Sequence, residues 1–141
     1  MSFDIVKVRK NNDKKQEVQE KKENGIMQND NLKYFCTEDK RQGTCYHEFQ
    51  KGKWDQQSFW KEDSLLLSDD MFFELGLKSL FKKAIQGYDP YGPVEVSKEQ
   101  WAMLLTAADG AGGAKQEALQ EADAWVQECF ATEEVFTILG I

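Results

Sequence analysis

Hydrophobic and polar residues follow one period up to about residue 68 and another beyond it. Phe3, Ile5, Val6 and Val8 alternate imperfectly with polar neighbours, so residues 2–9 read as a strand. Residues 10–31 are almost wholly polar, with Val18, Ile26 and Met27 as the exceptions. Glu17, four residues before Lys21, supports a short helix over 14–23. That helix would lack an apolar face, so a mobile loop or splayed hairpin is the expectation for this stretch. Residues 32–36 and 44–50 are rich in aromatics and suit strands of a half-buried sheet, with turn chemistry at Asp39 to Gly43 between them. Lys51-Gly52-Lys53 predicts a second turn, and residues 54–60, holding Trp54, Phe59 and Trp60, predict a further strand. Leu65, Leu66 and Leu67 either extend that strand or begin the core beneath the helices.

Beyond residue 68 the apolar spacing becomes helical. Ser68 is a good N-cap, and Asp69 and Asp70 place carboxylates in the first turn, where the helix dipole favours them. Phe73, Leu77, Leu80, Phe81 and Ala84 fall on one face, and Gly87 is the expected end of that helix. Asp89-Pro90-Tyr91-Gly92 matches a type I turn, and Val94 and Val96 form an extended pair. Ser97 and Gln100 make a capping-box pattern ahead of Trp101, Leu104, Leu105 and Ala108. Gly110 to Gly113 breaks the chain. A third helix then runs from about Ala114 to Phe130, with a stripe of Ala118, Leu119, Ala122, Trp125, Val126 and Cys129. The apolar segment 135–141 is expected to insert into the sheet, beside the N-terminal strand. The fold class is therefore α+β: a small antiparallel sheet from the N-terminal half plus a C-terminal strand, packed against about three helices. A chain of 141 residues suits a single domain, residues 1–141, with a polar mobile loop or hairpin at about 10–31.

Charge refines this picture. Residues 1–61 carry 13 basic and 10 acidic side chains, whereas residues 62–141 carry 5 basic and 15 acidic ones. The acidic half disfavours nucleic acid and would attract a basic protein. No apolar run is long enough to cross a membrane, and the first residues lack the layout of a signal peptide. The odd count of three cysteines agrees with reduced thiols, so a cytoplasmic location is expected.

Candidates for chemistry are few. Cys45 and His47, two apart on a strand, share a face and form the one local pair of nucleophile and base. No third orienting group or oxyanion motif accompanies them. Cys36, Cys45 and His47 could converge on a metal from adjacent strands, but the short Cys-x-x-Cys spacing is absent and a fourth ligand would have to be Asp39 or Cys129. No metal or cofactor is expected. Gly110-Ala111-Gly112-Gly113 follows a helix and reads as a connector, not as a phosphate cradle. Asp69, Asp70 and Glu74 cluster at one helix start, where first-turn anions account for the first two. Tyr88, Asp89 and Tyr91 around the turn, with Trp54 and Trp60 on the sheet, are either interface anchors or core and turn residues.

The segments Asp63-Ser64-Leu65-Leu66-Leu67, Phe72-Phe73-Glu74-Leu75-Gly76-Leu77, Tyr91 to Trp101 and Val135-Phe136-Thr137-Ile138-Leu139-Gly140-Ile141 resemble small bacterial immunity-like proteins. Such proteins accompany polymorphic toxins, including those of contact-dependent growth inhibition. The resemblance covers roughly the last 80 residues and lies in layout, without a diagnostic motif. It implies a cytoplasmic antidote, without catalysis, that binds a cognate toxin domain such as a basic nuclease. As a monomer or weak homodimer, its partner face would use Tyr88, Asp89, Tyr91, Asp69, Asp70, Glu74, Trp54 and Trp60. The alternatives are a small enzyme built on Cys45 and His47, or a subunit that self-associates through an edge strand.

Overall fold

The computed structural model describes residues 32–140, so the strand expected over 2–9 and the polar stretch 10–31 lie outside the described residues. Five strands form one antiparallel sheet: β1 (Cys36–Thr37), β2 (Tyr46–Lys51), β3 (Leu65–Ser68), β4 (Pro93–Ser97) and β5 (Val135–Leu139). Their spatial order is β1-β3-β2-β5-β4. The apolar terminal segment does enter the sheet. Its two neighbours are β2 and β4, with Phe49 opposite Ile138 on one side and Val96 opposite Phe136 on the other. Both edges of β5 are thus taken, so the place expected for an N-terminal strand beside it is filled by other strands.

Helices cover one face of this sheet. They are α1 (Asp69–Glu74), α2 (Leu77–Ala84), α3 (Lys98–Ala111) and α4 (Gly113–Phe130). Period-two alternation sends Phe49, Leu65, Leu67, Val94, Val96, Phe136 and Ile138 into the core beneath them. Phe136 is its centre, stacked on Phe49 at 5.3 Å and edge-on to Trp101 and Trp125. The stripe expected on α4 is buried throughout, from Ala118 to Cys129. The capping box at Ser97 and Gln100 starts α3 as expected, with both reciprocal hydrogen bonds formed. The two indole N–H groups on the helices reach acceptors: Trp101 donates to Asp123 at 2.7 Å and Trp125 to the Asp63 carbonyl at 2.8 Å.

The helix expected from Ser68 to Gly87 is two helices. Ser68 caps α1, its hydroxyl accepting from the Met71 N–H at 3.1 Å. Gly76 then adopts φ of 68°, the left-handed conformation that stops a helix, and α2 begins afresh. The break turns the apolar face: Phe72 enters the core and Phe73, expected there, is 83% exposed. Likewise α2 ends at Ala84, and Gly87 (φ 78°) belongs to the turn that follows.

The second correction concerns residues 54–60. They form no strand but a loop over the other face of the sheet, where the polar side chains Glu48, Gln50 and Thr137 are buried beside Leu66 and Leu139. The Glu48 carboxylate, 1% exposed, accepts from the Trp60 and Lys61 N–H groups and from the Ser64 hydroxyl at 2.9, 3.0 and 2.6 Å. Gln50 donates to the Ser58 carbonyl and Thr137 to the Gly52 carbonyl. Asp55 closes a local turn by accepting from the Ser58 hydroxyl and from the Ser58 and Gln57 N–H groups, which holds its carboxyl down at about 2. Gln56 and Trp60 take positive φ, which no extended strand allows.

Candidate functional site

A largely apolar cleft of about 570 Å³ lies between α1, the start of α2 and the Asp89–Gly92 turn. That volume is in the range of pockets that take a ligand or a few partner side chains. The turn is closed by the Gly92 N–H donating to the Asp89 carbonyl at 3.2 Å, and the Asp89 side chain accepts from the Tyr91 N–H. This geometry points Tyr91 outward, 72% exposed, on one lip of the cleft. Phe73, turned out by the break at Gly76, lines it too. Neither ring contacts another aromatic or a cation among the described residues. Phe72 and Pro90 also line the cleft, with Asp69 and Asp70 from α1 and Lys78 and Lys82 from α2.

The turn is seated by the end of the sheet. The Gly140 N–H donates to the Gly92 carbonyl at 3.1 Å. A Cβ on Gly140 would come within 1.8 Å of the Pro90 carbonyl oxygen and 2.8 Å of the Tyr91 Cα. Only glycine lets the backbones meet this closely, so the position of Tyr91 depends on a residue some fifty positions later.

Behind the cleft lies a small polar group. The His47 ring, 1% exposed, packs on Phe72 at 4.2 Å and bonds the Asp69 carboxylate through Nε2 at 2.9 Å. Its Nδ1 and the Tyr88 hydroxyl are buried without a hydrogen-bond partner among the described residues. Burial pushes the His47 pKa down, against the opposing pull of Asp69. Burial pushes the Tyr88 phenol up, helped by the negative charges of Asp89 and Asp69. The imidazole therefore ties β2 to the start of α1, and its ring lies within the core.

Of the residues singled out from the sequence, the structure brings Asp69, Asp70 and Tyr91 together at the cleft, with Asp89 shaping the turn beside them. Tyr88 is 7% exposed and packs against Phe81 and Phe72, so it is a core residue and not a surface anchor. Glu74 is exposed at the end of α1 and does not line the cleft. Trp54 and Trp60 belong to the loop on the opposite face of the sheet. Trp54 packs on Phe59 and donates to the Ser58 carbonyl, while the Trp60 ring lies under the Arg41 guanidinium at 4.2 Å and against Tyr46. Cys45 is exposed ahead of β2 and does not meet the buried His47 ring, whose one hydrogen bond goes to Asp69. Cys36 is on β1 and Cys129 is buried in α4, and among the described residues no three His, Cys, Asp or Glu side chains are placed to hold a metal ion.

Sequence reasoning missed Phe73, Lys78 and Lys82 at the cleft, the buried carboxylate Glu48 and the half-buried one of Glu121. Glu121 accepts from the backbone N–H groups of Lys33, Tyr34 and Phe35 and so holds the entry into β1. Leu75-Gly76-Leu77 carried the signal for Phe73, since a glycine after an apolar residue marks a helix end. Nothing local marks a glutamate as buried. No family model matches the chain, and no curated protein or solved structure matches it either.

Proposed function

We propose that this chain is a binding protein of the immunity type, which neutralises a toxin domain by covering it and performs no chemistry on it. The observation that carries the reading is the pair of large aromatic rings, Phe73 and Tyr91, exposed on one cleft and engaged with no other ring among the described residues. Aromatic side chains beside a concavity are the residue type and setting that dominate protein–protein affinity. The acidic balance of residues 62–141 supports fast encounter with a basic partner surface. The burial of His47 away from the Cys45 thiol favours binding over nucleophilic catalysis.

Calorimetric titration against the toxin domain encoded beside this gene tests the proposal. A dissociation constant below about 1 μM is expected. Replacing Phe73 and Tyr91 together with alanine is expected to weaken it by about a hundredfold or more. Absence of a complex at about ten times that concentration, or full affinity in the double variant, would overturn the proposal.

A further inference from the structure

The charges around the cleft are divided by helix, acidic on α1 and basic on α2. Asp70 stands on the α1 side, next to Asp69, whose carboxylate is engaged by His47. Lys78 and Lys82 stand one turn apart on α2, beyond the bend at Gly76. Neither Asp70 nor the two lysines forms an ion pair among the described residues. Phe72, Phe73 and Tyr91 line the same cleft.

Burying an unpaired charge under a partner costs free energy unless an opposite charge meets it. A uniformly basic partner surface would satisfy Asp70 but press like charge against Lys78 and Lys82. A uniformly acidic one would do the reverse. The exposed rings disfavour a wholly polar occupant, because they gain most from apolar contact.

We infer that the cleft receives a bipolar segment of polypeptide: an apolar side chain seated between Phe73 and Tyr91, with a basic residue on the Asp70 side and an acidic residue on the Lys78–Lys82 side. This rests on the reading of the cleft as a docking site and specifies what docks there. The acidic half of the chain steers the approach, but the seated segment carries both signs.

Selection of a displayed random heptapeptide library on the full chain tests this, with the Phe73→Ala/Tyr91→Ala double variant as counter-selection. Enriched peptides are expected to lose binding to the double variant and to hold a basic and an acidic residue on opposite sides of an apolar one. Asp70→Lys, and Lys78→Glu with Lys82→Glu, are each expected to weaken a selected peptide by about tenfold. All three side chains are exposed, so the fold is preserved, which circular dichroism checks. Peptides that need the aromatic pair yet are uniformly basic, and bind more tightly after the lysine reversals, would overturn the bipolar segment and leave the docking site standing. Enrichment indifferent to the aromatic pair, or no enrichment, would overturn both.

Discussion

Two sets of aromatic residues lie on opposite sides of the sheet, and they are treated differently. On the 52–64 loop, Trp54 has its indole N–H bonded and its ring on Phe59, and Trp60 is held by Arg41, by Tyr46 and by the bond from its backbone to Glu48. At the cleft, Phe73 and Tyr91 are more exposed than any other large apolar side chain among the described residues, and neither ring stacks on another. The loop rings contribute to holding their own loop in place. The cleft rings contribute nothing of that kind, so their exposure is available for a partner. Residue type alone did not separate the two sets; the contacts do.

The largest expected effect comes from releasing the loop. Glu48→Ala removes the acceptor of two backbone N–H groups and a buried hydroxyl and is expected to cost about 3 kcal/mol in urea denaturation. Tryptophan emission should shift to the red, while the folded fraction still binds through the cleft. Loss of cleft binding in that folded fraction would mean the two faces are coupled.

Next is the seat of the cleft's lip. Gly140→Ala forces a Cβ into the Pro90 carbonyl and is expected to cost about 2 kcal/mol, the range for overpacking. Binding should fall by more than stability explains, because the turn bearing Tyr91 must move.

A smaller effect follows from pH. The His47 pKa in the folded chain lies below its ordinary value of 6.5, so the unfolded chain takes up the proton first as pH falls. This contribution is present in full above about pH 6.5 and is lost below it, at no more than about 1.4 kcal/mol per pH unit for one proton. Denaturation midpoints measured between pH 7.5 and 5 should show this slope, and His47→Gln should remove it. The smallest effect sharpens the comparison most. Phe73→Ala and Tyr91→Ala should each change stability by no more than about 0.5 kcal/mol, since neither ring is packed. A large loss would make these rings structural, like those of the loop.

The order in which features were legible follows their range along the chain. The cap at Ser68, the capping box of α3, the stripe of α4 and the Asp89–Gly92 turn depend on residues within a few positions of one another, and all four were readable. The fate of residues 54–60 was not. Their composition suits a strand, but Glu48 and Gln50 on β2 offer an acceptor and a donor, and the backbone takes those instead. At the cleft, Asp69, Asp70 and Tyr91 were identified from composition. Their company was not, because Lys78 and Lys82 arrive only once Gly76 has bent the helix. Tyr88 shows the converse: it sits one residue from an exposed turn, yet its ring is committed to Phe81 and Phe72.

The position of β5 in the middle of the sheet bears on how the molecule comes to be made. Glu48 meets Leu139 and Lys51 meets Phe136, partners separated by most of the described chain. Until Val135–Leu139 has left the ribosome, β2 and β4 each have an open side and Phe49 lacks the ring it stacks on. Such distant pairing slows folding, and bare strand edges invite association with other nascent chains. Translation that stops ahead of residue 135 therefore yields a sticky fragment with its two sheet halves unjoined, in place of a shortened but working protein.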